Sequence, residues 1–192
     1  HKIKEAQPEL GAEKLLRYKK EFDIPDYDAG ILTSSKKMAD IFEAAAAICK
    51  KPKKVSNWLM VETLRLLKEK NREPEDITFS PENLAKLVEL TEAGTINSSV
   101  AKEVFEHIFH EDADPVLYVE EHGLKTVNDE GALRSVIAEV AAGNPQSVTD
   151  YKNGKEKAIG FLVGQTMKAM KGKADPGTVN RILRELLSGG TL

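Results

Sequence analysis

The chain has 192 residues, of which 41 % are apolar and 31 % charged, and its formal net charge is −3. This is the composition of an ordinary soluble globular protein, large enough for one large or two small domains, and no run approaches the roughly 18 apolar residues of a membrane span. The single cysteine, Cys49, excludes an internal disulfide framework and fits a reducing, cytoplasmic setting.

The chain opens His1-Lys2-Ile3 without a methionine or a secretory apolar segment. It reads as a piece of something longer, although a processed or tag-derived start would look the same. The first predicted helix carries Leu15, Leu16, Tyr18 and Phe22 and ends before Pro25. Ser34 or Ser35 caps a second with Met38, Ile41, Phe42, Ala45 and Ile48 on its apolar face, and Cys49 falls in it as a buried position. Lys50-Lys51-Pro52-Lys53-Lys54 interrupts the pattern as a basic loop tip, either a solvated connector or a backbone contact. Trp58, Val61, Leu64 and Leu67 resume it at three-residue steps, Trp58 as core or as a stacking platform. Ser80-Pro81-Glu82 combines an N-cap serine with proline at the first helical position, and Gly94 stops that helix. Asn97 or Ser98 caps the next, with Val100, Val104, Phe105 and Ile108 on its face, and Asp114-Pro115 opens a short helix closed by Gly123.

A boundary is expected near Lys125–Asn128. Asn128 then caps a helix with Leu133, Val136, Ile137 and Val140, and Asn144-Pro145 starts a short one. A glycine-containing helix follows over 155–171, and Asp175-Pro176 opens the last, with Val179, Ile182, Leu183 and Leu186 inward. No segment sustains the period-2 alternation of a strand. The expected fold is all-α, with a helical domain at 1–127 and a smaller helical domain at 128–192.

Charge divides unevenly between the two. Residues 1–127 carry 19 Lys/Arg against 24 Asp/Glu, whereas 128–192 carry nine against seven. From Lys152 to Lys173 there are six lysines and one acid, Glu156. A basic patch concentrated on an acidic chain points to a phosphate-rich partner. Lys155 and Lys157 stand at one end of the glycine-containing helix, and Lys168, Lys171 and Lys173 at the other. The bland alternative is that lysines of a last turn complement the helix dipole and keep the surface soluble; it suits Lys155 and Lys157 less well.

Gly160 and Gly164 lie four apart on one face, next to Gln165. Each interior glycine costs about 1 kcal/mol relative to alanine. Two in one helix require a close approach, by another helix or by a sugar–phosphate backbone that Gln165 would meet at a 2′-OH or base edge. His107 and His110, with Glu103 a turn earlier, have metal-compatible spacing, but the neighbouring Phe105, Ile108 and Phe109 set the core face and turn the histidines to solvent. No phosphate loop, dinucleotide fingerprint or nucleophile motif occurs.

The run Gly154-Lys155-x-Lys157-Ala158-x-Gly160-Phe161-Leu162-Val163-Gly164-Gln165-x-Met167-Lys168-Ala169-x-Lys171-Gly172-Lys173-Ala174-x-Pro176 closely resembles the tail of the GatB subunit of the tRNA-dependent amidotransferases, a segment also found alone in YqeY-like proteins. The likeness continues upstream. Pro8-Glu9-Leu10, Arg17-Tyr18 and Tyr27-Asp28-Ala29 resemble the segment that follows the family's catalytic domain, as do Asn57-Trp58-Leu59, Gly94-Thr95-Ile96 and Asp129-Glu130-Gly131-Ala132-Leu133 further on. Gly11 departs from the family's usual proline, and the first dozen residues match least. The resemblance implies a non-catalytic region. The family's ATP and divalent-metal chemistry belongs to a catalytic domain absent from this chain, so no cofactor is expected here. It further implies that the tail touches the outer corner of tRNA near the D-loop, so that Glu-tRNA(Gln) or Asp-tRNA(Asn) is amidated elsewhere in the protein. The amidotransferase's A and C subunits are the implied protein partners; neither DNA nor a membrane is expected. The expected tRNA contacts are Lys155, Lys157, Lys168, Lys171 and Lys173, with Gly160, Gly164 and Gln165 at the close-approach face. The competing reading is a protein-docking scaffold without RNA contact.

Overall fold

Ser35, Asn97, Asp129 and Asp175 each accept a backbone N–H at the start of a helix, satisfying donors that the helix itself leaves unpaired. In this computed structural model residues 9–127 and 129–189 are described, and all their regular elements are helical. None of these helices is long and apolar enough to cross a membrane. His1, Pro8 and the expected cap Asn128 lie outside the described residues. The cap of the helix beyond is Asp129, whose Oδ1 accepts from Gly131 and Ala132 at 3.0 and 3.3 Å.

The chain divides into two compact units: His1–Glu92 with Lys102–Tyr118, and Ala93–Ala101 with Val119–Leu192. The second therefore groups Ala93–Ala101 and residues 119–127 with the tail residues.

In the first unit α1 (Gly11–Phe22) packs on α2 (Asp26–Ser34), and α2 on α3 (Lys36–Cys49). Then come α4 (Pro52–Asn57), a π-helical turn (Trp58–Thr63) and α5 (Leu64–Glu69). A 3-10 turn (Pro74–Asp76) leads to α6 (Pro81–Glu92), which lies along α3. The helix α7 (Ser98–Glu111) contributes its residues from Lys102 onward, and α8 (Pro115–Glu121) its first turn. Two aromatic groups fill the core. Tyr18 and Phe22 lie 4.9 and 5.3 Å from Phe42, while Phe105 meets Trp58 at 5.2 Å and Phe79 at 5.7 Å. Trp58 is thus half-buried against the core. Asp112 joins α6 to the end of α7 by accepting from the Ser80 N–H and hydroxyl and from the Asn83 amide at 2.8–3.0 Å.

Several expected core positions face solvent instead. Leu16, Ile48 and Val61 are about half exposed or more, and the buried residues beside the latter two are Cys49, Leu59, Glu62 and Thr63. Val61 lies within the π-helical turn, whose buried side is taken by Leu59, Glu62 and Thr63. The basic connector is also more ordered than a loop tip. Pro52 opens α4, Lys53 pairs with Asp23 at 2.6 Å, and Lys54 pairs with Glu92 at 3.5 Å.

The second unit is built from α9 (Glu130–Gly143), α10 (Pro145–Lys152), α11 (Lys157–Ala169) and α12 (Pro176–Ser188). Each of the other three packs on α11. Leu133, Ile137, Ile159, Leu162, Val179, Ile182 and Leu183 meet in its core. At the surface, Arg134 and Arg181 of α9 and α12 each bridge Glu130 and Glu185 at 2.7–3.3 Å. Hydrogen bonds from Arg134, then from Arg181, hold both carboxyls below the usual carboxylate range. A carboxyl depressed in the folded state contributes its stability above the unfolded-state value and loses it as pH falls through the folded value. Between pH 5 and pH 2 the thermal midpoint of the native chain is therefore expected to fall further than that of a Glu130→Gln/Glu185→Gln variant. Parallel acid melts check this, and equal losses would show that the four-residue ring contributes nothing.

Candidate nucleic-acid interface

The tail helix α11 has two unlike sides. At about 100° per residue, seating Ile159, Leu162 and Thr166 in the core turns Lys157, Phe161, Gly164 and Lys168 outward within an arc of about 60°. The burial follows that division: Leu162 and Thr166 are fully buried, whereas Lys157, Gly160, Gly164 and Lys168 are exposed and Phe161 is 48 % exposed. Gln165 is half-buried at the edge of the same face. Lys157 and Lys168 stand about 16 Å apart along the axis, from eleven rises of 1.5 Å.

A Cβ added at Gly160 or Gly164 would meet nothing within 4 Å apart from the helix itself. Neither glycine is therefore explained by a helix packed on it among the described residues. Their effect is a flat strip of backbone open to the outside.

The expected helix over 155–171 is shorter at both ends. Lys155 precedes α11, in the turn after Gly154, and its ammonium lies 3.5 Å from Asp150. The chain reverses just beyond the last turn, with Lys171 at φ 53° and Gly172 at φ 75°. Both are left-handed, and the turn closes by the Gly172 N–H donating to the Met167 carbonyl. Because α11 ends at Ala169, Lys168 alone of the distal three is helical; Lys171 is exposed and Lys173 half-buried.

The local acid is already used. Glu156 pairs with Arg184 of α12 at 3.2 Å. Among the described residues Lys157, Lys168, Lys171 and Lys173 have no carboxylate within ion-pairing distance, so the strip is bounded by uncompensated positive charge. Where the unit's arginines tie helices together, Lys157, Lys168 and Lys171 are exposed and carry no such tie among the described residues.

Two residues of this region escape a reading of the sequence. Phe161 belongs by composition to the apolar run, but its angular position beside Lys157, Gly164 and Lys168 marks it as outward. Asn97 shows only as a possible cap, and it does accept from Val100 at 2.9 Å. Its amide also donates to the carbonyls of Gly172 and, at 3.3 Å, Ala174. The Val127 N–H donates to the Lys173 carbonyl at 2.9 Å, and that of Thr126 to Thr95 at 2.8 Å. The Lys171–Lys173 turn is thus held by residues far away in the chain. His107 lies ring to ring with Tyr118 at 4.4 Å, and no group of three or more His, Cys, Asp or Glu among the described residues is arranged to hold a metal.

The GatB domain family model matches residues 40–187. The aspartyl/glutamyl-tRNA(Asn/Gln) amidotransferase B subunit of Agathobacter rectalis is 69 % identical over 185 residues, covering 96 % of this chain and 39 % of the relative. The same protein of Lachnoclostridium phytofermentans is 61 % identical, covering 97 % and 39 %, and that of Lachnospira eligens 60 %, covering 96 % and 40 %. The chain thus spans about two fifths of the length of these relatives.

Two outcomes are expected from this geometry. Gly160→Ala/Gly164→Ala removes the helix penalty of glycine without a clash, so the double variant should gain roughly 1–2 kcal/mol in urea unfolding; a loss would reveal a close contact at the strip. Asn97→Ala removes a cap and the turn's amide donor, costing about 1–2 kcal/mol. Amide hydrogen exchange should then accelerate at Val100 and Val127, and unchanged protection at Val127 would show that Asn97 does not hold the turn.

Proposed function

Because this chain belongs to the GatB domain family, we propose that it is the tRNA-gripping part of an amidotransferase B subunit and does not itself carry the reaction. The observation that carries the reading is the outward face of α11: a flat glycine strip with unpaired lysines at both ends and two more in the turn beyond. Phosphate–lysine contacts position an RNA without reading its sequence, and backbone can lie close only where side chains are short. On this reading Lys157, Lys168, Lys171 and Lys173 take phosphates along the outer corner of tRNA near the D-loop. Lys155 contributes less, being shared with Asp150. Gln165, whose amide has no partner among the described residues, supplies a donor and an acceptor for a ribose 2′-OH or a base edge.

The acidic helical residues before the tail then act as spacer and orienter. Glu-tRNA(Gln) or Asp-tRNA(Asn) would be amidated in a domain outside this chain, where ATP and a divalent metal would be bound. The A and C subunits of a cytoplasmic complex would be its protein partners.

Salt dependence tests the reading directly. Each neutralised phosphate adds about 0.7–0.9 to the slope of log K against log salt concentration. Binding of the chain to tRNA(Gln) should steepen accordingly. The Lys168→Glu/Lys171→Glu variant should bind at least tenfold more weakly, with a slope shallower by about 1.4–1.8. Unchanged affinity and slope in that variant would overturn the assignment and favour docking of another protein on this face.

A further inference from the structure

The side chain of Phe161 is a feature of the α11 face that neither the lysine–phosphate contacts nor the Gln165 amide uses. Of the larger apolar residues of α11, Ile159, Leu162, Val163 and Met167 all join the tail core, while Phe161 stands outside it and is 48 % exposed. Gly160, immediately before it, and Gly164, about one turn after it, carry no side chain to shield the ring. Lys157, one turn before Phe161, and Lys168, two turns after it, are both unpaired among the described residues. A partner for this surface must therefore offer a flat apolar face between negative charges. An apolar protein surface would leave the lysines without counter-charges, and an acidic one would leave the ring without a complement. A nucleic acid offers both, because every base has a π-face and every nucleotide a phosphate.

We propose, on the footing that this face binds RNA, that Phe161 is a stacking platform for a single open base of the bound RNA. The strand bearing that base runs along the backbone surface at Gly160 and Gly164. In a continuous duplex each base face is covered by its neighbours, and the A-form minor groove displays 2′-hydroxyls and base edges instead. The ring consequently selects a loop or corner where one base face is uncovered. It gives the tail a preference for folded RNA over plain duplex, which the lysines by themselves do not provide.

The test uses the full chain with two RNAs, a tRNA(Gln) transcript and a blunt, fully paired RNA duplex, each titrated across a salt series. Phe161→Ala is expected to weaken tRNA binding about five- to a hundredfold, the range of one base–aromatic stack. Its salt slope and its affinity for the duplex should stay unchanged. Phe161→Trp should retain tRNA binding, and its indole fluorescence should be quenched by tRNA but not by duplex. Wild-type-like tRNA binding by Phe161→Ala, with Lys168→Glu/Lys171→Glu still weakened, would overturn stacking and leave the RNA reading standing. An equal loss on both RNAs would also overturn it, since duplex offers no open base. If the native chain binds neither RNA at low salt, the RNA reading falls and the stacking proposal with it.

Discussion

The seating of one apolar stripe of α11 in the tail core decides which way everything else on that helix faces. Ile159, Leu162 and Thr166 are enclosed by α9, α10 and α12, and the helical repeat leaves no freedom after that. Lys157, Phe161, Gly164 and Lys168 must emerge together on the other side. Thr166 shows how closely that seating is satisfied: its buried hydroxyl donates to the Leu162 carbonyl at 2.8 Å, so no polar group is stranded. A rotation of one residue step, about 100°, would bring Ala158, Phe161 and Gln165, or Gly160, Val163 and Met167, into the place of the stripe and displace Ile159, Leu162 and Thr166 from the core.

Charge is sorted by side-chain type around that helix. Arg134, Arg181 and Arg184 are engaged within the unit, the first two closing a ring with Glu130 and Glu185 and the third holding Glu156. A guanidinium presents several donors in a fixed plane and is suited to bridging two carboxylates. The lysines of α11 and its following turn are compact charges on flexible stems, suited to finding phosphates at positions the protein does not dictate. Because Glu156 is taken up by Arg184, the positive charge of the strip is not cancelled locally. The contrast with the acidic residues 1–127 is therefore concentrated at one surface instead of being averaged over the unit.

The turn after α11 depends on long-range contacts. Lys171 occupies a left-handed conformation that a β-carbon disfavours by about 1–2 kcal/mol. Asn97 and Val127 hold the carbonyls of Gly172, Ala174 and Lys173. Residues whose neighbours in sequence belong to earlier helices thus shape the far end of the basic strip. The structural grouping of Ala93–Ala101 and residues 119–127 with the tail has the same origin.

The all-helical class was legible in the sequence because caps and apolar spacing are local. Ser35, Ser80, Asn97 and Asp175 are short polar side chains placed just before apolar stripes, and proline follows Ser80 and Asp175. The family was legible because the run from Gly154 to Pro176 is a dense, ordered motif. The lysine cluster and the glycine pair could be counted directly. Other features required the folded chain. Leu16, Ile48, Val61 and Phe161 are no less apolar than their buried neighbours, and only packing determines which face of a helix is covered. That the glycines open outward, that Glu156 is neutralised from α12, and that Asn97 reaches a turn 75 residues away all depend on pairs distant in sequence. Composition and periodicity report what each helix could present, while tertiary burial selects the side it does present.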